Sequence, residues 1–308
     1  MYSIGTNRQL FLDEMWLTAT NNISRKLHTP DRREAVIEAD YPWEKGFVGS
    51  ATVSYDGEKY RMWYKCEDSS IIGVPMHSYR KRAYAESNDG INWTKPFLRQ
   101  MEFEGSNENN LLVAKPGVVG LDKNPDAKEE DRFKAFKVVP TQTPQPKIPN
   151  KPTWQEKLDQ QWSRGGAIVA MGSPDGINWH QIYKDPILNE WPFDSENLYF
   201  WDESTNQYRG YTRGIANNNP KVDPATVKDE IGHEFIGGVR WIRHTTSHDF
   251  KNWTPLTNIE TGSTPFEHLY SNSCWPYDRA PGTYLKFPSR YVAHRMPDPQ
   301  WFDGTGLN

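Results

Sequence analysis

The sequence predicts an all-β chain built from repeated four-stranded antiparallel units, and three observations predict it. A seven-residue stretch recurs as "SNDGINW" (87–93), "SPDGINW" (173–179) and "SHDFKNW" (247–253). A second pattern recurs in "ATVSYDGEKYRMWYKC" (51–66), "NLYFWDESTNQYRGYTRG" (197–214) and "SCWPYDRAPGTYLKFPSRY" (273–291). Finally, helical periodicity is poor throughout, while aromatic residues reach 13%.

The seven-residue stretch has its own physics. Asp bonds nearby backbone amides and Gly accepts positive φ, so Asp-Gly, or Asp-Phe-Lys-Asn, makes a tight turn. The Trp beyond it folds back and covers the turn with its ring. Such a staple joins two antiparallel strands, and a recurring staple marks a recurring unit. The second pattern places a short apolar strand, an Asp after an aromatic residue, a polar turn and an alternating aromatic strand in succession, which is a hairpin. "DRFKAFKVVP" (131–140) supplies the second strand of another copy. Two hairpins per unit, arranged radially, make the blade of a β-propeller.

Units start near 46, 106, 194 and 269. The first three carry a staple, and the sequence stops at "WFDGTGLN" before a fourth appears. The expectation is therefore about three and a half blades in a single domain over residues 1–308, with the ring open at its C-terminal end. Segments 152–165 and 223–235 are expected to be insertions with a helical turn each, and 141–152 a Pro-rich loop.

Bulk composition narrows the function classes. Thirty-six Lys and Arg face 40 Asp and Glu, for a net charge of −4, so no basic nucleic-acid surface is expected. Cys66 and Cys274 give neither a disulfide framework nor metal-ligand spacing, and no cofactor is expected. No stretch approaches the ~20 apolar residues of a membrane span. The N-terminus lacks a basic segment followed by an apolar run, which points to the cytoplasm.

The stretches "LFLDEMWL" (10–17), "AYAESNDGINWTKP" (83–96), "FEGSNENNLLV" (103–113), "FDSENLYFWDE" (193–203) and "LYSNSCWPY" (269–277) carry a family likeness. Through them the chain resembles the five-bladed propeller glycosidases around glycoside hydrolase families 32 and 43, and bacterial family 32-like proteins. The resemblance implies a five-bladed propeller, a saccharide ligand and hydrolysis of a glycosidic bond. In such relatives, sequence beyond the "FPSRY" segment completes the fourth blade and adds a fifth. An open ring leaves strand edges unpaired, which favours association with a second copy.

Propeller topology then restricts the site. The start of each first strand and the end of each second strand share one face of the ring. Residues at the starts are Trp43-Glu44, Glu108-Asn109-Asn110, Asp194-Ser195-Glu196-Asn197 and Glu267-His268; residues at the ends are Lys65, Glu67, Arg213 and Arg290. Carboxylates from separate blades around one funnel suit glycoside hydrolysis, where one protonates the leaving oxygen and another attacks or activates water. The catalytic candidates are Asp194, Glu44 and Glu267. Arg213, Glu196, Asn197, Glu108, His268, Tyr270, Arg290 and Trp43 are candidates for binding, and Trp191 and Trp275 for stacking on a sugar. Each has a plainer role open to it: Glu44 as a solvated loop acid, Asp194 as a turn cap, His268 as a structural histidine. The staple aspartates Asp89, Asp175 and Asp249 are assigned to structure. Two other functions compete with hydrolysis: a non-catalytic carbohydrate-binding or scaffold propeller, and a lyase or phosphorylase on the same fold.

Overall fold

The structure, a computed structural model, describes residues 6, 8–12, 17–26, 28–31, 33–68, 80–144, 164–190, 193, 196–216, 239–262 and 267–290. The two expected insertions fall largely outside these residues, as does most of the Pro-rich segment.

Every ladder is antiparallel and joins strands that are neighbours in the chain. Blade 1 contains β1 (Phe47–Tyr55), β2 (Tyr60–Glu67) and β3 (Lys81–Ser87). Blade 2 contains β4 (Val119–Leu121), β5 (Phe133–Pro144), β6 (Arg164–Ser173) and β7 (His180–Gln181). Blade 3 contains β8 (Leu198–Asp202), β9 (Gln207–Ala216), β10 (Val239–Ser247) and β11 (Thr257–Asn258). Blade 4 shows β12 (Cys274–Pro276) and β13 (Tyr284–Lys286). Among the described residues there is no α-helix, and no helix long and apolar enough to cross a membrane. The first strands touch in sequence: β1 lies against β4, β4 against β8, and β8 against β12. First strands packed side by side, with the others fanning outward, is the propeller arrangement.

One boundary differs from expectation. The second unit begins at Val119 rather than near 106. The run "NNLLV" (109–113) instead completes the outer edge of blade 1, where Leu111 bridges Ala83 and Thr94 bridges Glu86. Its apolar side chains were legible, but Leu111 and Leu112 are buried against blade 1 and the blade 1–2 seam, so burial alone does not distinguish an outer strand from an inner one.

The three staples share their Asp and Trp bonds. In the first, Asp89 Oδ1 accepts the amides of Ile91 (2.8 Å) and Asn92 (2.7 Å), Ser87 Oγ accepts the Gly90 amide (2.9 Å), and Trp93 Nε1 donates to the Gly90 carbonyl (3.1 Å). Asp175 with Trp179 repeats all four, and Asp249 with Trp253 repeats the Asp and Trp bonds, with Ser247 Oγ accepting the Asp249 amide (3.3 Å). The residue after each Asp has positive φ: Gly90 and Gly176 at 75°, and Phe250 at 63°.

The later staples also join blades. Trp63 of β2 donates its indole N–H to the Gly176 carbonyl (2.6 Å), and Arg61 donates to the Asp175 carbonyl (3.2 Å). Phe250, 1% exposed, packs on Phe136 of blade 2 and on Tyr199 and Tyr208 of blade 3. A Phe in a left-handed conformation is strained, and this burial opposes the strain. The cores accordingly lie between blades: Trp63, Val119 and Phe133 in the first seam, Phe136, Tyr199 and Tyr208 in the second, Phe200, Tyr211 and Cys274 in the third. Both cysteines are buried and free.

A second device sits at the first hairpin of each of the first three blades. An Asp ends the first strand and pairs with a cation of the second: Asp56 with Arg61 (2.5 Å), Asp122 with Lys134, and Asp202 with Arg209 (2.6 Å). The next blade reaches back to two of them. Tyr208 donates to Asp122 (2.7 Å) and Tyr284 to Asp202 (2.5 Å).

Gly176→Ala should destabilise the fold by about 2–4 kcal/mol, because the new Cβ would combine positive φ with overpacking on a buried ring. That Cβ would stand 2.5 Å from Trp63 Cζ2. Gly57→Ala, at φ 98° with open space around it, should cost only about 1 kcal/mol. Urea denaturation of the two variants separates strain from seam packing.

Acid should unlock the hairpins. Burial pushes the Asp56 carboxyl up, but the Lys59 amide, Arg61 and the Glu58 amide outweigh it and hold it at about 2, against an ordinary 3.8. Asp249 is likewise held at about 2, burial being overcome by the Asn252 and Lys251 amides. A carboxyl depressed in the folded state stabilises above its unfolded pKa and loses that contribution as pH falls through the folded one. Stability measured by thermal melts should therefore fall between about pH 4 and pH 2, and Asp56→Asn should flatten the decline.

Candidate funnel-mouth site

Antiparallel pairing fixes which residues share the mouth. Phe47 at the start of β1 faces Glu67 at the end of β2. Lys65 and Cys66 then face Arg82 and Lys81 at the start of β3. On β9, Arg213 lies one residue beyond Thr212 toward the same end, opposite Ile242 of β10. The mouth therefore receives starts of first and third strands and ends of second strands.

The blade 3–4 side is built around Glu196 and Asn197. Buried Asn197 donates to the Phe193 carbonyl (2.9 Å) and accepts the Arg213 amide (3.2 Å), which ties the start of β8 to the end of β9. Asn272 donates to the Glu196 carbonyl (2.6 Å). Ser273 donates its hydroxyl to Glu196 Oε2 (3.1 Å), so the carboxylate is held from blade 4. The guanidinium carbons of Arg213 and Arg240 lie 4.9 and 5.7 Å from the Tyr270 ring centroid, so one aromatic ring meets two cations. His268 Nδ1 accepts the Arg240 amide (2.9 Å), which leaves the proton of a neutral ring on Nε2. Glu267 pairs with Arg290 (2.6 Å).

The blade 1 side presents Glu67, paired with Arg80 (2.6 Å), and Lys65. Burial lowers the Lys65 pKa, Arg82 and Arg80 lower it further, and Glu196 and Glu67 oppose them. Lys65 thus feels a carboxylate from blade 3 and one from blade 1 together.

The structure does not bring every candidate there. Glu44 is 0% exposed, and its carboxylate accepts the amides of Asp40 (3.0 Å) and Tyr41 (3.2 Å), the Tyr64 hydroxyl (2.5 Å) and the Lys95 ammonium (2.8 Å). It was expected as a mouth-facing acid or a solvated one; it is instead turned inward, anchoring the segment before β1. Trp43 is buried beside it, stacked on Tyr41 at 4.6 Å and donating to Asn110 Oδ1 (2.9 Å). Glu108 is exposed on the excursion beyond blade 1, with Arg99 3.9 Å away, because the second unit starts later than expected. Trp275 is 39% exposed but leans on Phe200. Asp194 and Trp191 lie outside the described residues. Sequence reasoning missed Arg82, Lys115, Arg240 and Arg243. Arg82 and Arg240 lie near the starts of third strands, at the face where second strands end, whereas Lys115 lies outside the strands and Arg243 in the middle of one.

No known family model matches the sequence, and no curated protein does. Among solved structures, the chain is similar to the Bombyx mori GH32 beta-fructofuranosidase BmSUC1, at 10% identity and a TM-score of 0.45, over 80% of this chain and 42% of that one. It is similar to a glycosyl hydrolase from Bacteroides ovatus at 14% identity and a TM-score of 0.38, over 71% of this chain and 53% of that one. A member of the GH130 family of mannoside phosphorylases stands at 14% identity and 0.33, over 74% and 55%. The chain thus spans about half the length of these structures.

Proposed function

We propose that this chain is a glycoside hydrolase working with paired carboxylates at the funnel mouth. The observation that carries the proposal is topological: Glu67 ends β2 of blade 1 and Glu196 stands just before β8 of blade 3, which puts both at the same end of the ring. Glycosidic cleavage needs two carboxylates flanking one bond, and these two are the pair proposed here.

Their surroundings divide the roles. Glu67 is ion-paired with Arg80, a partner suited to a carboxylate, and it is the proposed base or nucleophile. Glu196 has a hydroxyl partner in Ser273, which serves a protonated carboxyl as well as a charged one. Glu196 is therefore the proposed acid, passing its proton to the leaving oxygen. Glu267, held by Arg290, is a second candidate for the charged role, and Asp194 remains a catalytic candidate on the sequence alone. Tyr270, flanked by two guanidiniums, offers a face for a sugar ring. A second proposal, a carbohydrate-binding propeller without turnover, is favoured by one specific feature: Glu67 and Glu267 are both tied to arginines.

Glu196→Gln keeps the size and the Ser273 contact but cannot donate an acid proton. Turnover of an aryl-glycoside panel should fall by about 10²–10⁴-fold with the thermal midpoint unchanged. Undiminished turnover would remove Glu196 from the acid role. Glu44→Ala should act in the opposite way: it leaves Lys95 and Tyr64 without their shared acceptor and should cost about 3–5 kcal/mol in urea denaturation.

A further inference from the structure

The blade 1–2 side of the mouth collects positive charge. Lys65 and Arg82 are cross-strand partners, so two cations stand directly opposite on one sheet, an unfavourable arrangement. Arg82 donates Nε to the Pro116 carbonyl (3.1 Å), which orients the guanidinium and keeps both Nη atoms for another acceptor. Among the described residues, neither Lys65, Arg82 nor Lys115 has a carboxylate partner. Lys115 is depressed by burial and then by Lys81, Arg82 and Lys137, which places these four cations in one field. Burial pulls Arg82 down to about 10, with Arg80 adding to the effect. On the inner strand beside Lys65 stands Gly49, next to a bulge where Ser50 has φ 46°; the Phe47 ring lies over Gly49, 2.8 Å from where a Cβ would stand, so β1 brings an apolar ring and no acid to that position. Like charges collected without counter-ions are costly to the fold, and such costs are retained at functional sites.

We propose that the mouth binds an acidic saccharide, whose oxyanion group, carboxylate or sulfate, seats among Lys65, Arg82 and Lys115. The Nη edge of Arg82 suits two oxygens of one such group, and the two ammoniums supply point charges on either side. This rests on the saccharide reading of the mouth but not on turnover. The sugar would extend from this anchor toward Glu196 and Tyr270, with Lys65 adjoining both the anchor and the carboxylates.

Isothermal titration of the full chain tests this with four probes: trigalacturonate, a sulfated chondroitin disaccharide, maltotriose and inorganic phosphate. One of the two acidic saccharides should bind at least tenfold tighter than neutral maltotriose, and its affinity should fall as NaCl is raised. Lys65→Met and Lys115→Met should each weaken it about tenfold. Neither should lower the thermal midpoint of the free protein, because each removes a self-repelling charge; a merely structural lysine would lower it. Equal affinity for maltotriose, no binding of either acidic saccharide, unchanged affinity in both variants, or phosphate binding as tightly as the acidic saccharides would each overturn the proposal. Acidic saccharide bound but never cleaved would remove the hydrolase reading and keep this one. Cleavage of neutral glycosides without binding of acidic ones would do the reverse.

Discussion

The ring depends on one local constraint: the residue after each staple Asp must take positive φ. Only there does the turn carbonyl point outward, available to an indole on the neighbouring blade. Trp63 uses the Gly176 carbonyl in this way, and the absence of a Cβ on Gly176 lets the Trp63 ring lie flat against the turn. Blade 3 meets the same constraint differently. Phe250 accepts the strained conformation and inserts its own ring where blade 2 offers no tryptophan, Phe136 standing there instead. Turn and partner ring have exchanged bulk across the seam. A seven-residue repeat is thus both a hairpin closure and an inter-blade lock, and the seams could not pack so tightly if it were only one of them.

The second repeated device, Asp with a cation across the first hairpin, divides the molecule into two electrostatic ends. Asp56, Asp122 and Asp202 hold arginine or lysine at the hairpin end, and tyrosines from the following blade bond two of these aspartates. Carboxylates held by turn amides and paired cations are already satisfied, and they are too far along the strands to balance charge at the mouth. Chemistry is left to the opposite end, where strand starts and ends converge without a repeated acid.

The fold was legible because its determinants are local. Ser, Asp and Trp at fixed offsets announce a turn whatever the rest of the chain does, and period-2 aromatics announce strands. The boundary of the second blade was not legible, since Leu111 and Leu112 have the same apolar character whether they form an inner or an outer strand. The site was legible only by topology. Arg213, Tyr270, Glu196 and Asn197 follow from asking which strand ends share a face. Glu44 obeys the same rule, yet its orientation is decided by partners 20 and 51 residues away in sequence, Tyr64 and Lys95. No spacing in the sequence encodes that pairing. Lys115 and Arg82 escaped for a related reason: a lone basic residue acquires meaning only when folding sets it beside others.

Net charge makes the same point. A total of −4 describes a mildly acidic protein, and a ligand inferred from that number would be neutral or cationic. The total is a sum over two ends that do not mix. At the hairpin end, acids are distributed among turns that need them, and each staple Asp is occupied by its own amides. At the mouth, Lys65 and Arg82 face each other across a ladder, with Lys81, Lys115 and Lys137 in the same field. Their repulsion is screened little because they are partly buried, and at Lys65 Glu196 and Glu67 oppose it in part. A backbone that places cations this way sets them at the end of the ring where its carboxylates Glu67 and Glu196 also stand, and the proposed acidic ligand would answer the positive charge those carboxylates leave.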